Sequence, residues 1–271
     1  MTANCNQIRH NACDLSTRAT TVISQPVLYC GDTSLGSAAA YLAGLLTHWN
    51  IDFDYVPSDC NLPDDVIASA PRLIILSDYP AARVSESQHS RIMDLVAHGA
   101  GLLMIGGWES FHGLGGDWDT TPLADILPVA ISSSDDRTNC DCPLLVRPTV
   151  DSHPVIDGLP WSTRPPLIGG FNQFTPKAGA EVLLESVQFA VATDGDAFTF
   201  HMTNCAPLLV TGRCGSGRTV ALATDVAPHW VGPLVDWGDK RITAQAEGAE
   251  AIEVGNLYEQ FFRQLVTWCL G

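Results

Sequence analysis

The chain has 271 residues, of which 46% are hydrophobic, enough to build a substantial buried core. Fourteen Lys and Arg stand against thirty Asp and Glu, so the formal net charge is −16 at pH 7. A field of that sign repels the phosphates of nucleic acids and the headgroups of anionic lipids. We therefore expect neither nucleic acid nor a membrane surface as a partner.

The N-terminal stretch up to Gln25 shows no hydrophobic period and lacks the apolar segment of a signal peptide. No later stretch approaches the ~20 apolar residues that a membrane-spanning helix needs. Nine scattered cysteines, an odd number, do not indicate a disulfide framework. The sequence thus predicts a cytoplasmic protein with an extension at residues 1–25 and a single domain at residues 26–271.

The first hundred residues alternate between short apolar runs and helical patterns. Apolar runs predict strands at 26–30, 53–56, 72–77 and 101–105. Amphipathic stripes predict a helix capped by Ser34 or Ser37, a short helix from Asp64, and a helix capped by the Ser-Glu-Ser-Gln segment that begins at Ser85. Four β-α units in about eighty residues are typical of a doubly wound parallel sheet. We expect an α/β fold with three layers, α/β/α, around a mostly parallel central sheet.

The second half has a different pattern, with many short strands separated by turns. We expect strands at 129–134, 144–147, 181–186, 189–193, 198–201, 208–212 and 218–224. A closing helix is predicted at 256–270, because apolar residues recur there at helical spacing. This half should form an antiparallel β extension of the central sheet.

Polar side chains cluster where the predicted parallel strands end. Right-handed crossovers bring such ends to one edge of the sheet, and ligands bind there. A strand ending in Gly106-Gly107 allows a sharp turn and a close approach of the backbone. We therefore expect a ligand cleft at this edge, with binding residues Asp32, Asp78, Gly107, Trp108, Ser110, His112 and Trp230.

Three residues at this edge are candidates for acid–base chemistry. Glu109 would have its proton affinity raised by partial burial and by nearby carboxylates. Asp225 could fix the tautomer of His229, whose proton moves near neutral pH. In the alternative interpretation, Asp225 caps the backbone that follows it and His229 packs on Trp230.

Other chemistries fit the sequence less well. Ser110 falls too late after the glycines to be the nucleophile of a Gly-x-Ser-x-Gly turn. Cys140-Asp-Cys142 lacks the second ligand pair of a structural zinc site. Gly115-Gly116 is followed by no Gly-Lys-Ser or Gly-Lys-Thr, so it does not predict a phosphate loop. We expect no metal and no cofactor.

Several short motifs occur in a specific order. They are Tyr29-Cys-Gly-Asp32, Gly106-Gly-Trp108 with Ser110-Phe111, Thr121-Pro-Leu123, Asp135-Asp-Arg137, His153-Pro154 with Gly158-Leu-Pro-Trp161, and Thr224-Asp-Val-Ala-Pro-His-Trp230. Together they resemble the glutamine amidotransferase-like family, a branch of the class I glutamine amidotransferase-like superfamily with a flavodoxin-like fold. The resemblance extends from Pro26 to Gly271.

The resemblance implies a fold more than an activity. Class I amidotransferases carry a cysteine in a Gly-x-Cys-x-Gly turn, followed much later by a His-x-Glu pair. Here the turn reads Gly106-Gly-Trp-Glu-Ser, and His229 is followed by Trp230 and Val231. We therefore expect no glutamine hydrolysis by the usual thiol mechanism.

The primary expectation is a protein that binds a small polar molecule, such as a sugar or an amino-acid derivative, at the strand-end cleft. The alternatives are a hydrolase or lyase that uses Glu109 or His229 as acid or base, and a catalytically silent oligomeric scaffold. We also expect a homo-oligomer, because several tryptophans are predicted in loops, namely Trp118, Trp161, Trp230 and Trp237.

Overall fold

A computed structural model describes residues 26–195 and 197–271, so the predicted extension at 1–25 lies outside the described residues. The helices are α1 (Ala39–His48), α2 (Asp64–Ala68), α3 (Glu86–Ala97), α4 (Leu123–Ile126), α5 (Pro228–Val231) and α6 (Asn256–Leu270). The strands are β1 (Val27–Gly31), β2 (Phe53–Val56), β3 (Leu73–Ser77), β4 (Gly101–Ile105), β5 (Val129–Ile131), β6 (Arg137–Pro148), β7 (Leu167–Asn172), β8 (Phe174–Pro176), β9 (Glu181–Asp194), β10 (Ala197–Cys214), β11 (Gly217–Leu222), β12 (Arg241–Ala244) and β13 (Ile252–Gly255).

A nine-stranded sheet organises the molecule, in the order β2-β1-β3-β4-β11-β10-β9-β6-β7. The neighbours from β2 to β11 pair in parallel, and those from β11 to β7 pair antiparallel. The predicted mixed α/β class is confirmed. Strands from the first half of the chain and β11 form the parallel part of the sheet, and β10, β9, β6 and β7 form the predicted antiparallel extension.

The parallel strands are buried on both faces, which explains why their sequences are continuously apolar. In β1, Val27 and Tyr29 belong to one hydrophobic cluster, and Leu28 and Cys30 to another. Side chains of α1 and α6 join the first cluster, whereas those of α2 and α3 join the second. Alternate residues of each strand therefore supply two separate cores.

Helix boundaries follow local hydrogen bonds. As predicted, Ser85 caps α3 in a capping box, in which its hydroxyl accepts from the Gln88 amide and the Gln88 side chain accepts from the Ser85 amide. The prediction that Ser34 or Ser37 caps α1 is wrong. These hydroxyls bond to each other, and the Asp32 carbonyl accepts the Ala39 amide at 3.0 Å, so the helix begins later.

In the second half, strands predicted as separate pieces are continuous. The four predicted strands between 181 and 212 form only β9 and β10, which pair along a long hairpin. Register shifts in β10, between Met202 and Asn204 and around Leu209, interrupt the alternation of side chains along this strand. Because of this interruption, the sequence pattern predicts two strands in place of β10. The predicted strand at 144–147 is the end of the longer β6, and β7 was not predicted.

The four tryptophans from which we predict self-association are not on the surface. Trp118, Trp161, Trp230 and Trp237 are each less than a tenth exposed. That reason for an oligomer is wrong, because their rings fill the core beneath the loops. Within the described residues, all seven cysteines are free and no helix has the length and apolar character to span a membrane.

Candidate functional site

Three aspartates leave the carboxyl ends of parallel strands at one edge of the sheet. Asp32 follows β1, Asp78 follows β3, and Asp225 lies three residues beyond the end of β11. Asp32 and Asp78 adopt left-handed backbone conformations, with φ of 52° and 47°. Asp32 is 1% exposed and Asp225 is 3% exposed, so two carboxyl groups are almost completely removed from water.

Asp32 is held by its own strand and by the neighbouring one. Its amide donates to the Ser77 carbonyl at 2.8 Å, and the Tyr29 hydroxyl donates to its Oδ2. The second carboxyl oxygen, Oδ1, is buried and makes no hydrogen bond of normal geometry among the described residues, although the Ser77 hydroxyl lies close enough to lower the pKa of the carboxyl. A buried polar atom without a partner is costly and is common at functional sites.

The three carboxyl groups resist ionisation. Burial raises the pKa of Asp32 to about 8, with a further increase from the charge of Asp78, and the Tyr29 hydroxyl opposes the shift. Burial also raises the pKa of Asp78 to about 6. The pKa of Asp225 is raised well above its usual value by burial and then by Asp32 and Asp78. At neutral pH the edge therefore offers a mixture of protonated and ionised carboxyls.

The turn after β4 packs directly on Asp78. The Glu109 amide donates to Asp78 Oδ1 at 2.7 Å, and Ser110 Oγ accepts the Asp78 amide at 2.9 Å. A Cβ atom on Gly107 would lie 2.2 Å from Asp78 Oδ1, so a side chain there would displace the carboxylate. Glycine at this position lets the turn approach the acid.

The Asp225–His229 pair only partly matches the predicted arrangement. Asp225 Oδ1 accepts the amides of Val226 and Ala227 at 2.6 and 2.9 Å, as the capping interpretation required. Asp225 Oδ2 lies 4.0 Å from Nδ1 of His229, whose side chain is 75% exposed. The histidine therefore lies at the rim, beyond hydrogen-bond distance of the buried acid.

Sequence reasoning missed two residues that hold the turn in place. The Asn172 side chain, at the end of β7, accepts the Gly107 amide at 2.9 Å and donates to Asp136 Oδ1 at 2.8 Å. Asp136 also accepts the amides of His112 and Gly113, each at 3.0 Å. Asp136 is part of the Asp135-Asp-Arg137 motif. Asn172 is the polar last residue of β7, and prediction of that strand would have indicated it.

The rim beside this turn is aromatic and charged. Trp108 is 51% exposed, and the Arg137 guanidinium lies 4.5 Å from the centre of its ring. Glu109 is partly buried, and burial raises the pKa of its carboxyl, opposed by the charge of Arg83. Asp135 bonds Arg137 through both carboxylate oxygens, which fixes the guanidinium.

His112 belongs to a neighbouring cluster. Its Nδ1 lies 2.8 Å from Asp119 Oδ1, and that contact raises the pKa of the imidazole. Among the residues that the structure describes, His112, Asp117 and Asp119 alone bring three ligand atoms within 4.8 Å of one another, the spacing needed to hold a metal ion. The aspartates at the strand ends do not converge in this way.

Trp230 does not face an open cleft. It is 3% exposed, its indole nitrogen donates to Asn139 Oδ1 at 2.8 Å, and its ring lies against Gly170. The structure thus groups seven of the predicted residues around Asp78. They are Asp32, Gly107, Trp108, Glu109, Ser110, Asp225 and His229.

The turn differs from a nucleophile elbow, in which a strained residue leads from a strand into a helix. Trp108 and Glu109 are absent from the residues with positive φ, which in this segment include Phe111 and Asp117. No helix occurs between Ile105 and Trp118. A cysteine is also missing from this segment.

This geometry defines the molecule as an open α/β protein with a strand-end site built from carboxyl groups. The chain belongs to the family described as "Putative glutamine amidotransferase", whose profile matches residues 59–243. The predicted family is therefore confirmed. No curated protein matches the chain.

Two solved structures share the fold over most of their length. Cytoplasmic protein STM3548 from Salmonella typhimurium is 23% identical with a TM-score of 0.68, over 90% of this chain and 98% of that one. Cytoplasmic protein STM1381 from Salmonella typhimurium LT2 is 24% identical with the same TM-score and the same coverage. At this level of identity the similarity is one of fold.

Proposed function

We propose that this protein binds a small polar molecule at the strand-end site, through the carboxyl groups of Asp32, Asp78 and Asp225. The observation that carries the proposal is the buried Asp32 Oδ1 without a partner, beside two further carboxyls with raised pKa. A protonated carboxyl donates a hydrogen bond and an ionised one accepts, so the site suits hydroxyl and amino groups. Sugars and amino-acid derivatives carry these groups.

The exposed Trp108 ring supports the same class of ligand. It supplies an apolar surface beside the acids, as in sites where a few polar groups orient a ligand against an aromatic side chain. Arg137 already covers part of the ring. No resident cofactor is part of this proposal, and a cytoplasmic location fits the free thiols.

Binding can be tested by calorimetry with a panel of neutral sugars and free amino acids. For any compound that binds at neutral pH, Asp78→Asn should weaken the affinity at least about tenfold, because Asp78, with a pKa of about 6, is mostly ionised there and the amide replaces a charged acceptor. Asp94→Asn, on the exposed face of α3, is the matched control and should leave affinity unchanged. Equal affinities for the two variants would contradict the proposed site.

We further propose that the protein has no thiol glutaminase activity. The reasons are the missing cysteine and the turn at 106–117, which leads into no helix and in which neither Trp108 nor Glu109 has the left-handed backbone of an elbow nucleophile. Glutamate release from glutamine should equal the rate without protein. Turnover that disappears when one cysteine is changed to serine would overturn this part of the proposal.

A second candidate function is acid–base catalysis of a hydrolase or lyase type. Burial raises the pKa of the Glu109 carboxyl, and the Glu109 amide donates to Asp78. His229 lies close enough to Asp78 for its charge to lower the pKa of that carboxyl. Both observations favour this candidate. Glu109→Gln should then abolish turnover of a bound substrate and leave the fold unchanged. A Glu109→Gln protein that binds and turns over its ligand as the parent does from pH 5 to 8 would exclude this role.

A further inference from the structure

The outer part of the β9–β10 hairpin leaves the sheet as a two-stranded arm, comprising residues 188–195 and 197–206. β6 pairs with β9 only from Leu184 to Val187, and β11 pairs with β10 only from Leu209 onward. Within the described residues, no other strand flanks the arm, so both of its edges are open. An isolated two-stranded ribbon is only marginally stable in water.

One face of the arm is apolar. Phe200 lies opposite Val191 and Met202 opposite Phe189, and Phe198 shares the face because it lies two residues from Phe200. Six large hydrophobic side chains of the described residues are half exposed or more, and four of them are on this face. They are Val191 at 51%, Met202 at 57%, Phe200 at 66% and Phe198 at 67%.

The arm also lacks the devices that keep exposed strands apart. Natural edge strands carry lysine, proline or inward-pointing charges. Between Gln188 and Ala206 the sequence has no Lys, Arg or Pro, and its only charged residues are Asp194 and Asp196. The apolar face of the arm therefore needs a binding partner that is always available to the folded chain.

We propose that a second copy of this chain provides the cover, with the apolar faces of two arms packed on each other about a two-fold axis. Identical faces that contact each other form a closed, isologous interface. Two chains with a net charge of −16 repel each other over most of their surfaces, and the nearly uncharged arm is where contact costs least. The lack of basic residues disfavours an anionic membrane as the alternative.

The size of the patch fits a dimer interface. An aromatic side chain buries 150–250 Å² when covered, so the two phenylalanines offer roughly 250 Å² and the two smaller side chains roughly 150 Å² more. Two copies would bury about 800 Å² of apolar surface in this way, half of the roughly 1,600 Å² in a standard interface. The rest would come from the arm backbone and its polar residues.

The test is the mass of the full chain in solution, measured by light scattering at micromolar concentration. Wild-type protein should have twice the 29.0 kDa of one chain. Phe200→Asp should shift the mass to 29.0 kDa. The double variant Phe198→Ser with Phe200→Ser should do the same without adding a charge, and unchanged circular dichroism would show that both variants are folded.

Two matched controls separate the apolar face from a general effect of charge. Thr199→Asp, on the opposite face of the same strand, and Leu114→Asp, at an exposed apolar position outside the arm, should both keep the doubled mass. A wild-type mass other than twice one chain would overturn the proposal. So would a Phe200→Asp protein that keeps the dimer.

Discussion

At the scale of single residues, Asp32 makes stability depend on pH in an unusual direction. Its pKa rises from an ordinary 3.8 to about 8 in the folded chain, so folding takes up a proton between these values. The contribution of this carboxyl to the free energy of unfolding is therefore fully present below pH 4. It decreases as the pH rises from about 4 to 8 and is lost above pH 8. Most paired carboxylates behave in the opposite way.

Asp32→Asn mimics the protonated acid, so the variant does not lose stability through ionisation of residue 32 at high pH. At pH 8.5 the variant should be more stable than wild type by at least about 1 kcal/mol, and the gain should shrink toward pH 4. Urea unfolding at pH 4, 6 and 8.5 measures the difference. Asp94→Asn should follow wild type throughout. A variant that loses stability most at pH 8.5 would show that the buried carboxyl is not protonated in the folded state.

Asn172, in contrast to Asp32, is a residue whose replacement should destabilise the folded chain severely. Asn172→Ala leaves the Gly107 amide and the Asp136 carboxylate without their buried partner, and such losses cost about 2–4 kcal/mol. Thermal or urea unfolding measures this cost. Gln173→Ala, at the next and exposed position, should cost less than about 0.5 kcal/mol. Equal effects would mean that the amide network contributes nothing.

At the scale of elements, α3 depends on its capping box. Ser85→Ala removes the hydroxyl that accepts the Gln88 amide, and such caps contribute about 1 kcal/mol. Ser90 lies within the same helix, and its hydroxyl bonds back to the Glu86 carbonyl. Ser90→Ala should be neutral or slightly stabilising, because alanine is the better helix former. Urea unfolding of both variants tests the cap, and equal stabilities would contradict it.

Long-range contacts, unlike the cap, decide the geometry of the acid site. Asp32 and Asp78 follow β1 and β3, which are adjacent strands in register, with Gly31 opposite Ser77. Asp225 joins them because β11 inserts beside β4 in parallel, although the two strands are more than a hundred residues apart in sequence. The burial that raises the pKa of each aspartate, and the neighbouring carboxyl charges that raise those of Asp32 and Asp225 further, thus depend on pairing between distant segments.

At the scale of the whole molecule, the net charge of −16 opposes compaction. Salt screens this repulsion, since the Debye length falls from about 10 Å at 0.1 M to 3 Å at 1 M. Raising NaCl from 20 to 500 mM at pH 7.5 should therefore raise Tm by several degrees, where each kcal/mol corresponds to about 2–4 °C. At pH 4.6, the sequence pI, the same salt should change Tm little. Scanning calorimetry provides both values, and a lower Tm in salt at pH 7.5 would contradict the expectation.

Local sequence patterns are sufficient to predict the parallel half of the fold. Strands such as β3 and β4 are continuous apolar runs bounded by glycine or polar residues, and α3 carries its own cap, so local pattern was sufficient. The ordered motifs identified the family. Asp32, Asp78 and Asp225 were found because a polar residue directly after a buried strand is visible in the sequence.

The arrangement of the second half, in contrast, depends on contacts between distant segments. The register shifts in β10 conceal a long strand, and no local signal distinguishes a covered hairpin from an arm that leaves the sheet. Asn172 and Asp136 act through contacts with a turn more than twenty residues away. Burial of the tryptophans and the raised pKa of Asp32 likewise depend on neighbours brought together by folding. A local sequence pattern reflects the conformation that a segment prefers. The burial and the pKa of a side chain depend on its neighbours, and many of these come from distant parts of the folded chain.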